Sequence, residues 1–460
     1  MNSKTLKELA AIVGSDNLTT THEDLLCYAY DGSGREFLPE AVVFPGSTDE
    51  VSRIMALASA RNFPVVPRGA GTGMTGGSLA VNGGLVMAMS RLNRIIEIDT
   101  ANQVAVVEPG VITGRFQQEV GRAGLFYPPD PASHDFCTIG GNVGECAGGP
   151  RAVKYGVTRD YVLGLEAVLP DGRIINTGVR TAKGVAGYDL TRLLVGSEGT
   201  LAVITRIILK LLPAPASRKT FLLLFDNLSA ATSLVARILG RITPCTLEYM
   251  DRTALQVVAD SLPAPLPGNT EALLLVELDG DLDLVKLQAE NLRNFLTGQP
   301  GLLESRLAET AAESAALWAA RRAISPSTFK LKPHKIGEDI VVPRTLIPDL
   351  VEYTEILAAD LDLTILTFGH AGDGNIHVNI MLDRNDPKQK AAGKTAKEKL
   401  FSRVIEMGGT ITGEHGIGIT KSSFLDREID RNTLAMMRAI KKTFDPGNIL
   451  NPGKIFPPSE

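Results

Sequence analysis

The 460-residue chain lacks the cysteine spacing of an iron–sulfur protein. Its four cysteines, Cys27, Cys137, Cys146 and Cys245, contain no Cys-x-x-Cys pair, whereas an Fe–S cluster is normally held by four thiolates at short spacings. We therefore expect this chain to carry no cluster of its own. Cys146, which lies in a glycine-rich stretch, is expected to be a small buried side chain.

The chain also lacks long hydrophobic runs. Apolar stretches such as Leu222–Phe225 and Ile207–Leu209 are far shorter than the ~18 residues that a membrane-spanning helix needs. Residues 1–14 mix lysine and glutamate with short apolar steps, unlike a secretory signal. These features predict a cytoplasmic protein, with any membrane association peripheral and through a partner.

An excess of charge of one sign is missing as well. Lys+Arg 47 against Asp+Glu 52 gives a net charge of −5, and no block of five like charges occurs. A nucleic-acid partner is therefore not expected. Aromatic residues make up only 5% and hydrophobic residues 44%, which is ordinary for a globular enzyme. Since single domains seldom exceed ~250 residues, we expect two principal domains or one domain with a large insertion.

The region 1–215 mixes helix and strand patterns. A strand at Ala41–Phe44 leads into a helix that begins at the capping-box sequence Ser47–Glu50. Later strands include Val162–Leu169, and the stiff segment Pro213–Ala216 reads as a linker. The region is predicted to be one α+β domain.

Beyond the linker, over 216–420, the pattern changes. Two strand-helix units start at Phe221 and Ala272, about fifty residues apart, and this repetition suggests a ferredoxin-like sandwich. Residues 421–460 contain one predicted helix and are too few to form a domain. We expect this C-terminal segment to return to the first domain.

Glycine is abundant, at 45 residues, and is concentrated in a few stretches, above all Arg68–Ser78. Successive glycines let backbone N–H groups approach a ligand without interference from a Cβ, which makes an anion site suited to a pyrophosphate. The loop is neither a Walker loop nor the usual Gly-x-Gly-x-x-Gly, and by itself it is equally typical of a mobile surface loop. Three further segments favour the binding role: Pro128–Ser133, Thr138–Asn142 and Gly196–Ile204.

In that order and spacing, the four segments resemble the FAD-binding domain of the vanillyl-alcohol oxidase superfamily, the p-cresol methylhydroxylase type. The resemblance implies a two-part FAD-binding domain over 1–215, in which the glycine loop binds the pyrophosphate. The implied cofactor-binding residues are Arg68, Gly69, Ala70, Gly71, Thr72, Gly73, Met74, Gly77, Ser78, Pro131, Ser133, Thr138, Gly141, Asn142, Glu198, Gly199 and Ile204. Several relatives attach FAD covalently through His or Cys, and since this loop contains neither, we expect non-covalent FAD.

Two histidines flank a predicted hairpin. The sequence Asp373-Gly374 is a strong two-residue turn between strand-like segments. A two-residue turn would place His370 directly opposite His377, with Cβ atoms ~5 Å apart. Asn379 would then share the face of His377, because side chains alternate with a period of two.

Such a pair could hold one metal ion. A carboxylate such as Glu414 would complete a two-His-one-carboxylate set with positions open for substrate, leaving the adjacent His415 free as a base. A histidine pair on a hairpin can equally be a hydrogen-bonded structural pair. For a sequence without further context, that alternative is the better interpretation.

These stretches resemble the C-terminal domain of FAD-linked oxidases, found in the flavin subunit of glycolate oxidase and in D-lactate and D-2-hydroxyglutarate dehydrogenases. The resemblance implies a divalent metal, usually zinc, on His370, His377 and Glu414, with His415 as the base. Arg321 would bind the substrate carboxylate, although a solvated helix face is the alternative. Lys335 falls where some relatives place a second cation, and with Asn379 it completes the expected catalytic set.

The implied activity is FAD-dependent oxidation of a D-2-hydroxy acid, of the D-lactate or glycolate type, to the 2-oxo acid. The metal would assist, His415 would take the hydroxyl proton, and hydride would pass to flavin N5. Electrons would leave to a quinone, an electron-transfer flavoprotein, a separate Fe–S subunit or oxygen, in a homo-oligomer or a hetero-complex. The alternatives are a non-catalytic flavin-binding subunit of a larger complex, or oxidation of another alcohol on the same fold.

Overall fold

The computed structural model describes residues 1–457. Its α-helices are α1 (Ser3–Val13), α2 (His22–Leu26), α3 (Thr48–Arg61), α4 (Thr113–Arg122), α5 (Ile139–Glu145), α6 (Ala152–Tyr155), α7 (Leu190–Leu194), α8 (Leu228–Leu239), α9 (Arg252–Val257), α10 (Leu282–Leu296), α11 (Ala311–Ser327), α12 (Ile347–Leu361), α13 (Pro387–Glu406), α14 (Leu425–Glu428) and α15 (Arg431–Phe444). Its strands are β1 (Leu18–Thr19), β2 (Ala41–Val43), β3 (Val65–Arg68), β4 (Leu85–Ala88), β5 (Ile95–Asp99), β6 (Val104–Val107), β7 (Leu125–Phe126), β8 (Val162–Val168), β9 (Ile174–Gly178), β10 (Val203–Lys210), β11 (Leu212–Pro213), β12 (Ser217–Phe225), β13 (Thr246–Asp251), β14 (Ala272–Gly280), β15 (Leu302–Leu307), β16 (His334–Val341), β17 (Thr364–His370) and β18 (Asn375–Leu382). No helix among these residues is both long and apolar enough to cross a membrane.

The chain divides into two compact units. The first comprises Met1–Gly148, Val157–Ala214 and the chain from Glu414 onward, and the second comprises Gly149–Gly156 and Pro215–Gly413. The units therefore part at residues 214 and 413, where the sequence suggested 215 and 420. The C-terminal segment that belongs to the first unit thus begins at Glu414.

The second unit also takes in Gly149–Gly156, which the sequence analysis placed within 1–215. Hydrogen bonds explain this assignment. The Lys154 ammonium lies 2.5 Å from a carboxylate oxygen of Asp279, and the Tyr155 hydroxyl donates to the other oxygen at 2.8 Å. Because Asp279 is buried on β14, these bonds hold the short helix α6 against the second unit.

The first unit is built on two principal sheets within its described residues. One has the order β1-β2-β4-β3, with β2 and β3 parallel to β4, and the other has the antiparallel order β5-β6-β10-β8-β9. Helix α3 begins where the sequence predicts, because the Ser47 hydroxyl accepts the Glu50 N–H at 3.2 Å. Its apolar face, which includes Ile54 and Met55, packs with α1 on the first sheet.

The second unit contains one antiparallel sheet over its fully described residues 215–413, with the order β15-β12-β14-β13-β17-β18-β16. Strands β12 to β15, with α8 and α10, follow the βαββαβ order of a ferredoxin-like fold. The remaining strands extend this sheet from the edge of β13, where Tyr249 pairs with Gly369. The sequence does not predict that the histidine hairpin and the ferredoxin-like strands share one sheet.

The segment after α15 lies along β3 of the first unit. The Val65 N–H donates to the Ile449 carbonyl, and the Asn451 N–H donates to the Val65 carbonyl, both at 2.8 Å. The Asn451 amide then donates to the carbonyls of Gly77 at 2.8 Å and Glu198 at 2.7 Å. One buried side chain therefore joins the glycine loop to the segment that contains Glu198.

We expect Asn451→Ala to destabilise the first unit, because it leaves two buried carbonyls without their donor. The loss should be about 1–3 kcal/mol, measured as a lower urea midpoint of the apoprotein. Asn448→Ala is a matched control: Asn448 is exposed and also has a positive φ, of 48° against 43° for Asn451. Both substitutions place alanine at a positive φ and so carry the same backbone strain. Equal urea midpoints for the two variants would therefore contradict the role assigned to the Asn451 side chain.

Candidate active site

The glycine loop follows β3 and is held at both ends by Arg68. The guanidinium donates to the Ser78 hydroxyl at 3.2 Å and to the Tyr30 carbonyl at 2.8 Å. Gly71 has a φ of 70°, and a Cβ there would lie 2.1 Å from that guanidinium. Arg68 thus holds the loop through its bonds to the protein, and its contact with the cofactor stays a prediction.

Gly73 shows where a ligand could approach the loop. Its φ is not in the left-handed range, and a Cβ built on it would meet only the Glu145 carboxylate, at 3.9 Å. At Gly69, in contrast, a Cβ would lie 2.4 Å from the Thr138 hydroxyl. The loop therefore packs against Thr138 at one point and leaves open space above Gly73, as a cradle for a pyrophosphate requires.

The other predicted cofactor segments lie on several elements of the first unit. Thr138 caps α5, since its hydroxyl accepts the Gly141 N–H at 3.2 Å. Buried Asn142 donates to the Thr113 hydroxyl at 2.7 Å, so one of its amide hydrogens is already used. Of the rest, Pro131 and Ser133 lie in a turn before α5, Gly199 packs on Pro67, and Ile204 is on β10.

Glu198 has a structural role that the sequence did not reveal. Its buried carboxylate accepts the N–H groups of Ile417 at 2.8 Å and Gly418 at 2.7 Å. Burial raises the pKa of this carboxyl, although those two hydrogen bonds and nearby lysines oppose the shift. Glu198 therefore anchors the segment that follows His415.

Thr75 of the glycine loop anchors the same segment. Its hydroxyl donates to the His415 carbonyl at 3.0 Å, and its own carbonyl accepts the Ile419 N–H at 2.8 Å. The backbone around His415 is consequently attached to the predicted pyrophosphate loop. The sequence predicted both motifs, but not that they would be bonded to each other.

Buried Lys454 adds positive charge to this part of the first unit. Its ammonium donates to the carbonyl of Leu79, just after the loop, at 2.5 Å, and to the Asn451 amide oxygen at 3.0 Å. Burial lowers its pKa to about 8, against the opposing effect of nearby acidic groups. A cation here favours an anionic ligand on the loop.

The register of the histidine hairpin differs from the prediction. His370 pairs with Asn375, and His377 pairs with Phe368, so the two histidines are diagonal rather than directly opposed. The reason is the connection: Ala371–Gly374 forms a four-residue loop, closed by the Asp373 N–H donating to the His370 carbonyl at 3.1 Å. The slip is two residues, and the period of two keeps both rings on one face.

The two imidazoles are still close. Their ring centroids lie 5.1 Å apart, and His370 is buried while His377 is half-buried. Glu414 directly follows Gly413 in the chain. The Gly413 N–H donates to the carboxylate of Asp339, the residue that pairs with His377. One ligand atom from each of His370, His377 and Glu414 lies within 4.8 Å of the others. Two imidazoles and a carboxylate at this spacing fit a divalent metal such as zinc.

A carboxylate that the sequence analysis missed lies beside this group. Glu248 lies in the wholly buried part of β13, and its Oε1 accepts a hydrogen bond from His370 Nδ1 at 2.7 Å. Burial by itself raises the pKa of Glu248, but the charges and hydrogen bonds of His370 and Arg321 outweigh it and lower the pKa. A charged residue that alternates with the apolar residues Leu247, Tyr249 and Met250 was the available signal in the sequence.

Arg321 is the second partner of Glu248. It lies on the buried face of α11, with Nε 2.7 Å and one terminal nitrogen 2.6 Å from Glu248 Oε2. Its guanidinium stacks over the Phe368 ring at 4.8 Å. Since Arg321 is buried, the alternative of a solvated helix face is wrong.

Two further predicted residues lie on the same face of the second-unit sheet. The Lys335 ammonium, on β16, donates to the Ser325 hydroxyl at 3.0 Å, and burial lowers the pKa of this lysine. Asn379, on β18, is buried, and its Nδ2 has no hydrogen-bond partner among residues 1–457. A buried donor without a partner is costly, which indicates a polar ligand at this position.

Two families match the chain. The one described as FAD linked oxidases, C-terminal domain, matches residues 214–455, and the one described as FAD binding domain matches residues 39–178. The chain is 44% identical over 459 residues to the glycolate oxidase subunit GlcD of Bacillus subtilis, covering 99% of this chain and 97% of that protein. It is 36% identical to a D-lactate dehydrogenase of Anaerostipes hadrus, covering 98% and 96%.

Solved structures share the fold at low sequence identity. p-Cresol methylhydroxylase with substrate bound superposes with a TM-score of 0.80 at 16% identity, covering 98% of this chain and 96% of that one. The 4-ethylphenol oxidase of Gulosibacter chungangensis gives 0.76 at 20% identity, covering 99% and 97%. The predicted α+β class, with a p-cresol methylhydroxylase-type FAD domain and an added cap domain, is confirmed.

We expect Gly73→Val to fold normally and to lose FAD, because the new side chain has room in the protein but occupies the space above the loop. Gly77 is a poorer test, since a Cβ there would lie 2.7 Å from Glu145. Flavin content per chain, from the visible absorbance of purified protein, measures the effect. Gly121→Val is the control, because nothing lies within 4 Å of a Cβ at that helix position. Full flavin occupancy in Gly73→Val would remove the loop from its predicted role.

Proposed function

The chain belongs to the FAD-linked oxidases and is an FAD-dependent oxidoreductase of 2-hydroxy acids. On that premise, we propose that it oxidises a small D-2-hydroxy acid, of the D-lactate or glycolate type, to the 2-oxo acid. The observation that carries the proposal is the group of His370, His377 and Glu414. Relatives named for glycolate and for D-lactate support a substrate of this size.

Arg321 and Asn379 would bind and orient the substrate. Glu248 uses Nε and one terminal nitrogen of Arg321, so the other terminal nitrogen keeps its hydrogens for a carboxylate oxygen. The unpartnered Nδ2 of Asn379 supplies a second donor. Both groups are buried, and charge-assisted hydrogen bonds are stronger where water is excluded.

The chain's own residues would hold both cofactors. The glycine loop would hold the pyrophosphate of non-covalent FAD, which accepts a hydride when it is bound. His370, His377 and Glu414 would hold a divalent metal, for which we propose zinc; such an ion lowers the pKa of a coordinated hydroxyl. Lys335, whose pKa is lowered by burial, would add positive charge near the substrate carboxylate.

His415 would act as the general base. It directly follows Glu414, and since consecutive residues usually direct their side chains differently, the two would not both bind the same ion; His415 would accept the hydroxyl proton. Its backbone is held by Thr75 at 3.0 Å, which limits the positions that the ring can take. A base positioned in this way contributes roughly 10²–10⁴-fold to the rate.

The electrons would leave through a separate acceptor. The four cysteines are free thiols, and Cys137 and Cys245 are buried. Because relatives are named as subunits of glycolate oxidase, we propose a hetero-complex in which a quinone, an electron-transfer flavoprotein or an Fe–S subunit reoxidises the flavin.

We expect one divalent metal per chain, bound by a site that His377→Ala destroys while FAD is retained. The measurement is elemental analysis together with the flavin spectrum. His334→Ala is the matched control. His334 is at the start of β16 and pairs with Leu382, whereas His377 pairs with Asp339 farther along that strand. Active parental enzyme without any metal would return the histidines to the structural-pair interpretation.

His415→Asn should slow flavin reduction by roughly 10²–10⁴-fold, because asparagine cannot accept the proton. Anaerobic stopped-flow reduction by D-lactate and by glycolate measures the rate, with metal and FAD contents determined on the same samples. Both contents should equal the parental values. Reduction of the variant at the parental rate would show that another group is the base.

A further inference from the structure

Glu248 is a buried carboxylate that lies between Arg321 and His370, one of the three candidate metal ligands. Its side chain has 0% exposure, and so neither oxygen can be solvated. Leaving a buried carboxylate unpaired is strongly unfavourable. Each oxygen has its own partner: Oε1 faces His370 Nδ1, and Oε2 faces Arg321.

The bond to His370 selects one tautomer of the ring. An ionised carboxylate only accepts hydrogen bonds, so Nδ1 has to be the donor at 2.7 Å. The proton on Nδ1 leaves the lone pair on Nε2 for a metal ion. The strand register supports this geometry, because Tyr249 pairs with Gly369, and continuing this antiparallel register by one residue places Glu248 opposite His370.

The bond to Arg321 selects one edge of the guanidinium. Nε and one terminal nitrogen both lie on Glu248 Oε2, at 2.7 and 2.6 Å. Phe368 stacks on the flat face at 4.8 Å and limits rotation of the plane. The remaining terminal nitrogen is thereby directed away from Glu248.

We propose that Glu248 is a positioning residue that sets both the metal-binding tautomer of His370 and the substrate-facing edge of Arg321. The inference rests on the proposed function, since it assigns a metal to His370 and a carboxylate to Arg321. One side chain would then couple metal affinity to substrate affinity. A role in folding alone would affect neither quantity in the folded protein.

Glu248→Gln separates these roles, because glutamine has nearly the same shape but only one acceptor oxygen. With that oxygen on Arg321, its NH₂ group faces Nδ1 and favours the tautomer that carries its proton on Nε2. We expect the Kd for Zn²⁺, measured in the full-length flavoprotein by competition with a chromophoric chelator, to rise about 10–100-fold. The KM for D-lactate should rise as well.

Glu277→Gln is the matched control. Glu277 lies on the neighbouring strand β14, is 5% exposed, and accepts hydrogen bonds from Thr220 at 3.0 Å and Trp318 at 2.9 Å. This variant removes another buried charge from the same sheet, so it should lower the melting temperature without changing the Zn²⁺ Kd. A Glu248→Gln protein with the Kd and KM of the control would overturn the inference while leaving the proposed function intact.

A second measurement is made on the parental protein. Nitrogen-15 NMR of the parental histidine rings, with His370→Ala to assign the signal, reports which nitrogen carries the proton in the metal-free protein. We expect the proton on Nδ1 of His370, and a proton on Nε2 would overturn the inference. Parental protein that binds no Zn²⁺ and is not reduced by any 2-hydroxy acid would instead overturn the proposed function, and this inference with it.

Discussion

The second unit depends on the neutralisation of one carboxylate that has no access to water. Glu248 sits on a central strand of the sheet, and its two oxygens bind a strand residue, His370, and a helix residue, Arg321. An unpaired charge there would cost several kcal/mol. Helix α11 is therefore constrained in where it packs, and β17 is constrained in register, by the same side chain that stands beside the candidate metal ligands.

In the first unit, the buried polar groups that need partners are backbone carbonyls rather than a carboxylate. A glycine-rich loop has few side chains of its own to hold it, and so its carbonyls and turns are held by residues that are distant in sequence. Asn451 binds the carbonyl of Gly77, Lys454 binds that of Leu79, and Thr75 holds the backbone at His415. The C-terminal segment and the His415 segment are thus bonded to the glycine loop, which lies within the residues that match the FAD binding domain.

The histidine hairpin illustrates how a prediction can be wrong in detail and still useful. Asp373-Gly374 was expected to form a two-residue turn, whereas Ala371–Gly374 forms a four-residue loop and moves the register by two. A slip of one residue would have put the rings on opposite faces, but a slip of two preserves the face. His370 and His377 therefore remain within 5.1 Å of each other, between ring centroids.

The sequence by itself determined what is local or periodic: the Ser47 cap of α3, the ferredoxin-like strand-helix units, the glycine loop and the shared face of the histidines. These follow from contacts between residues that are near in the chain or from side-chain alternation. Only the tertiary structure decided that Glu248 joins His370 to Arg321, and that Asn451 joins Gly77 to Glu198. Such partners are separated by long stretches of chain, and what selects them is the requirement that every buried charge and carbonyl find a partner, a condition that no local pattern encodes.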